Sequence, residues 1–176
     1  MVSQSVRLRE YFNKMIVELF KADHSNSRQI ESMLDDYLGE LSNYMVVSIG
    51  STNSANYQHL DAYWLEVGRH IFLIQYSKQV VGFAFIRDPA STESVAHQVA
   101  EFYVRPDSRR LGIGRSAVLE IWKLFPGQWE LQVHTRNTVA IQFWLSCIET
   151  ETGDNPQLQE IKASDGMRLQ LNFRIG

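Results

Sequence analysis

Residues 101 to 116 read Glu-Phe-Tyr-Val-Arg-Pro-Asp-Ser-Arg-Arg-Leu-Gly-Ile-Gly-Arg-Ser. The opening Glu-Phe-Tyr-Val has strand character, Pro-Asp-Ser turns the chain, and Gly112 and Gly114 lead straight into an apolar-periodic helix. Arg109, Gly112 and Gly114 are spaced R-x-x-G-x-G. The first turn of a helix carries backbone N–H groups with no partner inside the helix, and a partial positive charge. Glycine lets backbone approach a bulky anion without interference from Cβ. The stretch therefore predicts a strand that delivers the chain to a phosphate or pyrophosphate site. A plain turn that happens to start a helix is the competing reading. A dinucleotide fold fits poorly, because its fingerprint needs a third glycine, a parallel βαβ unit and a downstream acid. A P-loop is excluded, since no Gly-Lys-Ser/Thr follows.

The chain has 176 residues, 44% hydrophobic and 21% charged, which fits one domain spanning 1–176 with a full core. A net charge of -3 lacks the basic footprint of a nucleic-acid binder. The lone Cys147 allows no internal disulfide and no metal cluster, and no metal is expected. No apolar run approaches the ~20 residues of a membrane span, and no leader is legible, so a cytoplasmic protein of bacterial type is expected.

Periodicity predicts the remaining elements. Met15–Lys21 reads as a strand, with a helix over 7–20 as its rival, and residues 1–13 as a short helix or loose leader. Ser27 caps a helix whose stripe is Ile30, Met33, Leu34, Tyr37, Leu38, Leu41 and Tyr44. Residues 50–56 read as loop and 60–67 as a short helix. Residues 71–76 and 80–86 form a hairpin, 88–92 turn the chain, and 95–104 make a strand whose apolar face is Ala100, Phe102 and Val104. A helix over 112–125 stops at Pro126-Gly127. A strand follows over 128–134, then a helix over 137–148. The last hairpin, 158–163 and 167–175, turns at Asp165-Gly166. The order β-α-α-β-β-β-α-β-α-β-β implies an α+β fold: a mixed, mostly antiparallel sheet of about six or seven strands with helices on both faces.

The strand, R-x-x-G-x-G and helix segment resembles the acetyl-coenzyme A signature of the GNAT N-acetyltransferases. Asn137-x-x-Ala140-x-x-Phe143-Trp144 is similar to that family's next motif, and the element order agrees. Leu60-Asp-Ala-Tyr-Trp64 and Phe125-Pro-Gly-Gln-Trp-Glu130 resemble a bacterial subgroup. The resemblance implies that the strands over 95–104 and 128–134 splay and that acetyl-coenzyme A lies between them. Backbone groups of Phe102, Tyr103 and Val104 would hold its pantetheine arm. The N–H groups of Arg110, Leu111, Gly112, Ile113 and Gly114 would cradle the pyrophosphate, with charge from Arg109, Arg110 and Arg115. Asn137 would reach the coenzyme or cap its helix, and Phe143 and Trp144 would be core residues with an edge on the coenzyme.

The implied reaction is direct attack of an amine on the thioester, which calls for a base and an acid. Glu101 is the candidate base, a carboxylate in an apolar stretch where burial raises the pKa; a structural ion pair is the other reading. His97 and His134 are weaker candidates, expected on the polar faces of their strands. Many family members carry a tyrosine where this chain has Trp144. Indole cannot serve as an acid, which leaves Tyr103 as a weak candidate or solvent as the source. Buried Cys147 reads as core and argues against a ping-pong route.

Acidic residues Glu31, Asp35, Asp36, Glu40, Asp61 and Glu66 around the first two helices would favour a cationic amine, or simply form a solvated face. Tyr44, Tyr57, Tyr63 and Trp64 would wall the acceptor pocket or belong to the core. The expected partner is a small-molecule or peptide amine, and the expected state a monomer or homodimer. The alternative is a non-catalytic acyl-coenzyme A binding module.

Overall fold

A computed structural model describes residues 16–44, 54, 57, 59–89 and 95–176. The strands are β1 (Val17–Lys21), β2 (Arg69–Tyr76), β3 (Gln79–Arg87), β4 (His97–Val104), β5 (Gly127–His134), β6 (Gln157–Ala163) and β7 (Gly166–Ile175). The helices are α1 (Ser27–Leu41), α2 (Leu60–Leu65), α3 (Ile113–Leu124) and α4 (Thr138–Thr152). One seven-stranded sheet runs in the order β1-β2-β3-β4-β5-β7-β6. Every neighbouring pair is antiparallel except β4 and β5, which α3 connects as a parallel crossover. The mixed sheet with helices on both faces matches the order and class expected from the sequence.

Each layer follows from its residue pattern. On one face, Val118, Ile121 and Trp122 of α3 and Trp144, Cys147 and Ile148 of α4 pack on Trp129, Leu131, Val133, Leu171 and Phe173. On the other, Ile30, Met33 and Leu34 of α1 and Leu60 and Tyr63 of α2 pack on Ile71, Leu73, Phe83, Phe85 and Tyr103. Strand alternation separates these two sets of side chains. Ser77 and Lys78, with φ of 51° and 66°, close the β2–β3 hairpin with the two left-handed residues that a type I′ turn requires.

Several bounds differ from the periodic reading. β1 pairs with β2 over Val17–Lys21, which excludes the rival helix there, because a sheet edge was available to pair. α1 ends at Leu41, leaving Tyr44 in the turn beyond it, and α2 ends at Leu65, leaving Val67 85% exposed. Gly112 and Asn137 are helix caps rather than first helical residues. α4 continues to Thr152, beyond the last apolar position that marked it, and stops at Gly153 with φ of 74°. The readings for 1–13 and most of 50–56, and the end of the 88–92 turn, lie outside the described residues.

The main correction concerns β4. The register passes from Phe85↔Glu101 to Ile86↔Val99, so Ala100 is an extra residue with no partner on β3. Such a bulge resets the alternation. Ala100 packs with the α1–α2 cluster, the side on which Glu101 also lies, whereas Phe102 and Val104 keep to the α3–α4 side. The single apolar face of Ala100, Phe102 and Val104 is therefore split.

Gly82 is where β3 and β4 come closest. A Cβ added there would lie 2.2 Å from the Tyr103 carbonyl oxygen and 3.1 Å from the Val104 Cα. Both obstacles are backbone, so β3 and β4 would have to separate. Gly82→Ala is expected to cost about 3 kcal/mol, read as a fall in Tm of about 6–12 °C by calorimetry. An unchanged Tm would show that the strands adjust freely.

Candidate active site

β4 and β5 are paired only over His97↔Trp129, Gln98↔Glu130 and Val99↔Leu131. Beyond the bulge at Ala100 the two strands part. Residues 101–104 and 132–134 then line a cleft whose closed end is the three-residue pairing. One edge of β4 there has no sheet partner, and its backbone groups, apart from the Val104 carbonyl that Arg109 holds, are available to a ligand.

The glycine loop stands at the mouth of this cleft. Pro106–Ser108 form a single 3₁₀ turn, Arg110 has φ of 65° and Gly112 φ of 77°. Left-handed residues within so short a stretch turn successive N–H groups toward one side, as in anion-binding nests. No side chain caps α3, so its first N–H groups have no side-chain acceptor. At α4, by contrast, Asn137 Oδ1 accepts from the Ala140 N–H at 3.1 Å. A Cβ on Gly112 would meet nothing within 4 Å, so glycine serves conformation there and leaves open space before the helix. Gly114 serves contact instead: its Cβ would lie 3.3 Å from Phe143.

The structure brings Phe102, Gly114, Phe143 and Trp144 together. Phe102 stacks on Phe143 with centroids 5.8 Å apart and meets Trp144 edge-on at 5.3 Å. This aromatic group ties β4, the start of α3 and the start of α4 into one wall. Ile113 is core, so only its backbone faces the loop, while Leu111, Arg110 and Arg115 are exposed.

Other expected residues lie elsewhere. Arg109 turns away from the α3 N-terminus. Its Nε donates to the Val104 carbonyl at 2.6 Å, its Nη2 donates to both Glu40 carboxylate oxygens at 2.9 Å, and its guanidinium lies 5.5 Å from the centre of the Tyr103 ring. It thereby joins α1 to the glycine loop. Tyr103 is on the α1 side, and burial, with Glu40 and Asp36, pushes its hydroxyl pKa up. His97 is not on a polar face: it packs on Phe125 and Trp129 with Nδ1 enclosed and unpartnered, because the bulge comes after it in β4. His134 Nδ1 accepts from the Arg136 N–H. Burial lifts the Cys147 thiol to about 11, which suits a core residue and not a nucleophile.

Glu101 is the best-supported catalytic candidate. Its carboxylate accepts hydrogen bonds from Tyr37 at 2.6 Å and Tyr57 at 2.9 Å. Burial raises its pKa above the ordinary carboxylate value, and the two tyrosine hydrogen bonds and the charges of Arg168 and Arg87 oppose the rise. Both hydroxyls are pushed above the ordinary tyrosine value, first by burial and then by Glu101, so they stay protonated and keep donating. Tyr37 was legible only as a member of the α1 stripe, and Tyr57 only as wall or core. No spacing rule links either to a carboxylate on a distant strand.

Three of the six acidic side chains on this side are engaged. Glu40 holds Arg109, Glu66 pairs with Arg69 at 2.5 Å, and Asp35 accepts from the Ser54 N–H. Among the described residues no cluster of His, Cys, Asp and Glu suited to a metal ion occurs, and no helix is long and apolar enough to cross a membrane.

The seven-stranded sheet parts between its two parallel neighbours, and an uncapped, glycine-led helix connects them. The family model described as "Acetyltransferase (GNAT) family" matches residues 16–147. The chain belongs to the GNAT acetyltransferase family. An acetyltransferase from Thermus thermophilus superposes with a TM-score of 0.67 at 12% identity, covering 92% of this chain and 99% of that one. The PaiA N-acetyltransferase of Thermoplasma acidophilum, solved with coenzyme A, gives 0.61 at 12% identity over 90% and 100%. A GNAT acetyltransferase from Streptococcus pneumoniae gives 0.61 at 13% over 92% and 100%. At such identities the likeness is one of fold. No curated protein sequence matches the chain significantly.

Gly112→Val would place a β-branched residue at a left-handed φ. Acetyl-coenzyme A affinity is expected to fall by about tenfold or more, since distortion of about 1–2 kcal/mol falls on the loop itself. Gly112→Asn, which tolerates that φ, should bind nearly as well as the wild type. Calorimetric titration reads both, and equal affinity in the valine variant would move the pyrophosphate elsewhere.

Proposed function

We propose that the protein is an N-acetyltransferase that moves the acetyl group of acetyl-coenzyme A to an amine in a ternary complex, with Glu101 as general base. The observation that carries this reading is the position of Glu101: a half-buried carboxylate with a raised pKa, on the strand that lines the cleft and held by the hydroxyls of Tyr37 and Tyr57. The residues present fit the donor. The uncapped N-terminus of α3 and the open space at Gly112 suit a pyrophosphate, and the unpaired edge of β4 after Ala100 suits an amide-bearing arm. The coenzyme A bound to the PaiA relative supports the same assignment.

The chemistry asked of this chain is small. The acceptor ammonium gives a proton to the Glu101 carboxylate, and its nitrogen lone pair then forms the bond to the thioester carbonyl carbon. The C–S bond breaks, the acetylated nitrogen releases its second proton to solvent, and the departing thiolate takes one from solvent. Trp144 occupies the place of the tyrosine that many relatives use as acid, and its indole has no acidic proton to give at neutral pH. The inertness of Cys147 supports direct transfer over an acyl-enzyme. A non-catalytic acyl-coenzyme A binder would show tight binding with no thiol release on any amine.

Glu101→Gln should lower the rate of thiol release by about 10²- to 10⁴-fold while leaving acetyl-coenzyme A affinity unchanged. A variant as fast as the wild type would end the assignment of the base.

The pH profile gives a separate test. Glu101 accepts a proton only when ionised, so activity should rise with pH through its raised pKa. Tyr57 favours the ionised form by donating to it. Tyr57→Phe should therefore move the acidic limb of the profile to higher pH, measured as kcat/KM for the acceptor. A shift to lower pH would contradict the arrangement.

A further inference from the structure

Arg87 is a guanidinium on the acceptor face that the proposed chemistry leaves unused. It ends β3 two residues after Phe85, and strand alternation sets it on the face of Phe83 and Phe85, beneath α2. Its register partners are Arg69 on β2 and Gln98 on β4. Arg69 is satisfied, since it pairs with Glu66 and its guanidinium lies over the ring face of Tyr63, 5.3 Å from the centroid. The Tyr63 hydroxyl, enclosed in a residue only 6% exposed, faces the Arg69 guanidinium and has no acceptor for its own proton among the described residues.

Arg87 itself has no ion pair among the described residues, and its Nε is sealed from solvent with no hydrogen-bond partner. The acid next to it in sequence, Asp88, is bound to His70, whose ring packs on Phe72 and Phe125 of the opposite layer. Of the two neighbouring arginines only Arg69 has a carboxylate, and Arg87 lies close enough to Tyr63 for its charge to act on that hydroxyl. A native fold rarely leaves such groups unmatched unless something else matches them. Arg87 is also close enough for its charge to act on Tyr57, Tyr63 and Glu101.

We propose that Arg87 and the Tyr63 hydroxyl bind a carboxylate on the acceptor, so that the acceptor is an amine carrying an acid group, with its nitrogen at Glu101 and its carboxylate at Arg87. One guanidinium and one hydroxyl suit a two-oxygen, singly charged acid. Phe85 is the register partner of Glu101, and two residues of strand from Phe85 to Arg87 span about 7 Å. The site therefore selects amines several bonds from their carboxylate, such as ω-amino acids, over α-amino acids. The inference rests on the acetyltransferase reading for the placement of the amine, and on the arginine corner alone for the placement of the acid.

The test uses the full chain with coenzyme A bound and calorimetric titration of matched pairs: δ-aminovalerate against pentylamine, and γ-aminobutyrate against butylamine. The wild type should bind the amino acid of at least one pair about 10- to 100-fold more tightly than the amine, the range of a charge-assisted contact. Arg87→Gln should erase that preference, and Arg87→Lys should keep part of it. Both variants should retain coenzyme A affinity and the wild-type unfolding temperature.

Equal binding within the pairs overturns the proposal. So does a preference that survives Arg87→Gln, including the case where only the unfolding temperature falls, as when a water links Arg87 to the unpartnered Gln98 Oε1. Thiol release then separates the two readings. Arg87-dependent binding of δ-aminovalerate without thiol release keeps the carboxylate subsite and ends the transferase reading. Thiol release that favours amines lacking a carboxylate does the reverse.

Discussion

The parallel pairing of β4 with β5 lasts for three residues, and the bulge at Ala100 lies immediately after it. A bulge leaves one residue unpaired and turns the strand more strongly. Here it also resets which side chains face which layer. Glu101 moves to the α1 side while Phe102 stays against α3 and α4. The same residue thus opens the cleft, supplies a backbone edge free of sheet partners, and delivers a carboxylate to the α1–α2 face. Shifting the alternation by one residue would exchange the faces of Glu101 and Phe102. That would bury a charge against Trp144 and expose an aromatic ring to Tyr37.

Two kinds of glycine hold the cleft in shape, and they do so differently. Gly82 allows two strands to approach, and Gly114 allows a helix to rest on Phe143. Gly112 faces empty space and is needed only for its left-handed φ. Close approach stabilises the frame around the cleft, whereas the strained turn exposes N–H groups at its mouth. Arg109 bridges these parts through Val104, Tyr103 and Glu40. Its role in this structure is to fasten α1 to the loop, although its place in R-x-x-G-x-G suggested a direct contact with an anion.

The electrostatics around Glu101 are balanced between burial and neighbours. Burial raises its pKa. Two tyrosine hydroxyls and two arginine charges offset part of that effect, and the pKa of Glu101 stays above the ordinary carboxylate value. The tyrosines lie on segments before β2, far in sequence from Glu101. The arginines lie on β3 and β7.

How much was legible in the sequence follows from which interactions are local. Element order, the helix stripes, both hairpins and the glycine-led start of α3 depend on neighbours a few residues apart, so periodicity and turn chemistry were enough to determine them. The left-handed turn and the uncapped helix start over residues 110–114 are equally local, because they depend on the glycines and their immediate neighbours. The partial burial of Glu101 was readable from its apolar flanks.

What tertiary structure alone decided involves contacts between distant segments or a change of alternation inside one strand. The bulge at Ala100 is invisible to a period-two pattern, since it depends on pairing with Phe85 and Ile86. The tyrosine hydroxyls on Glu101, the turn of Arg109 toward Glu40 and the unmatched guanidinium of Arg87 all require the sheet to be assembled first. Hydrogen bonds and charges act over a few ångströms of space, and only the folded chain determines which residues share that space.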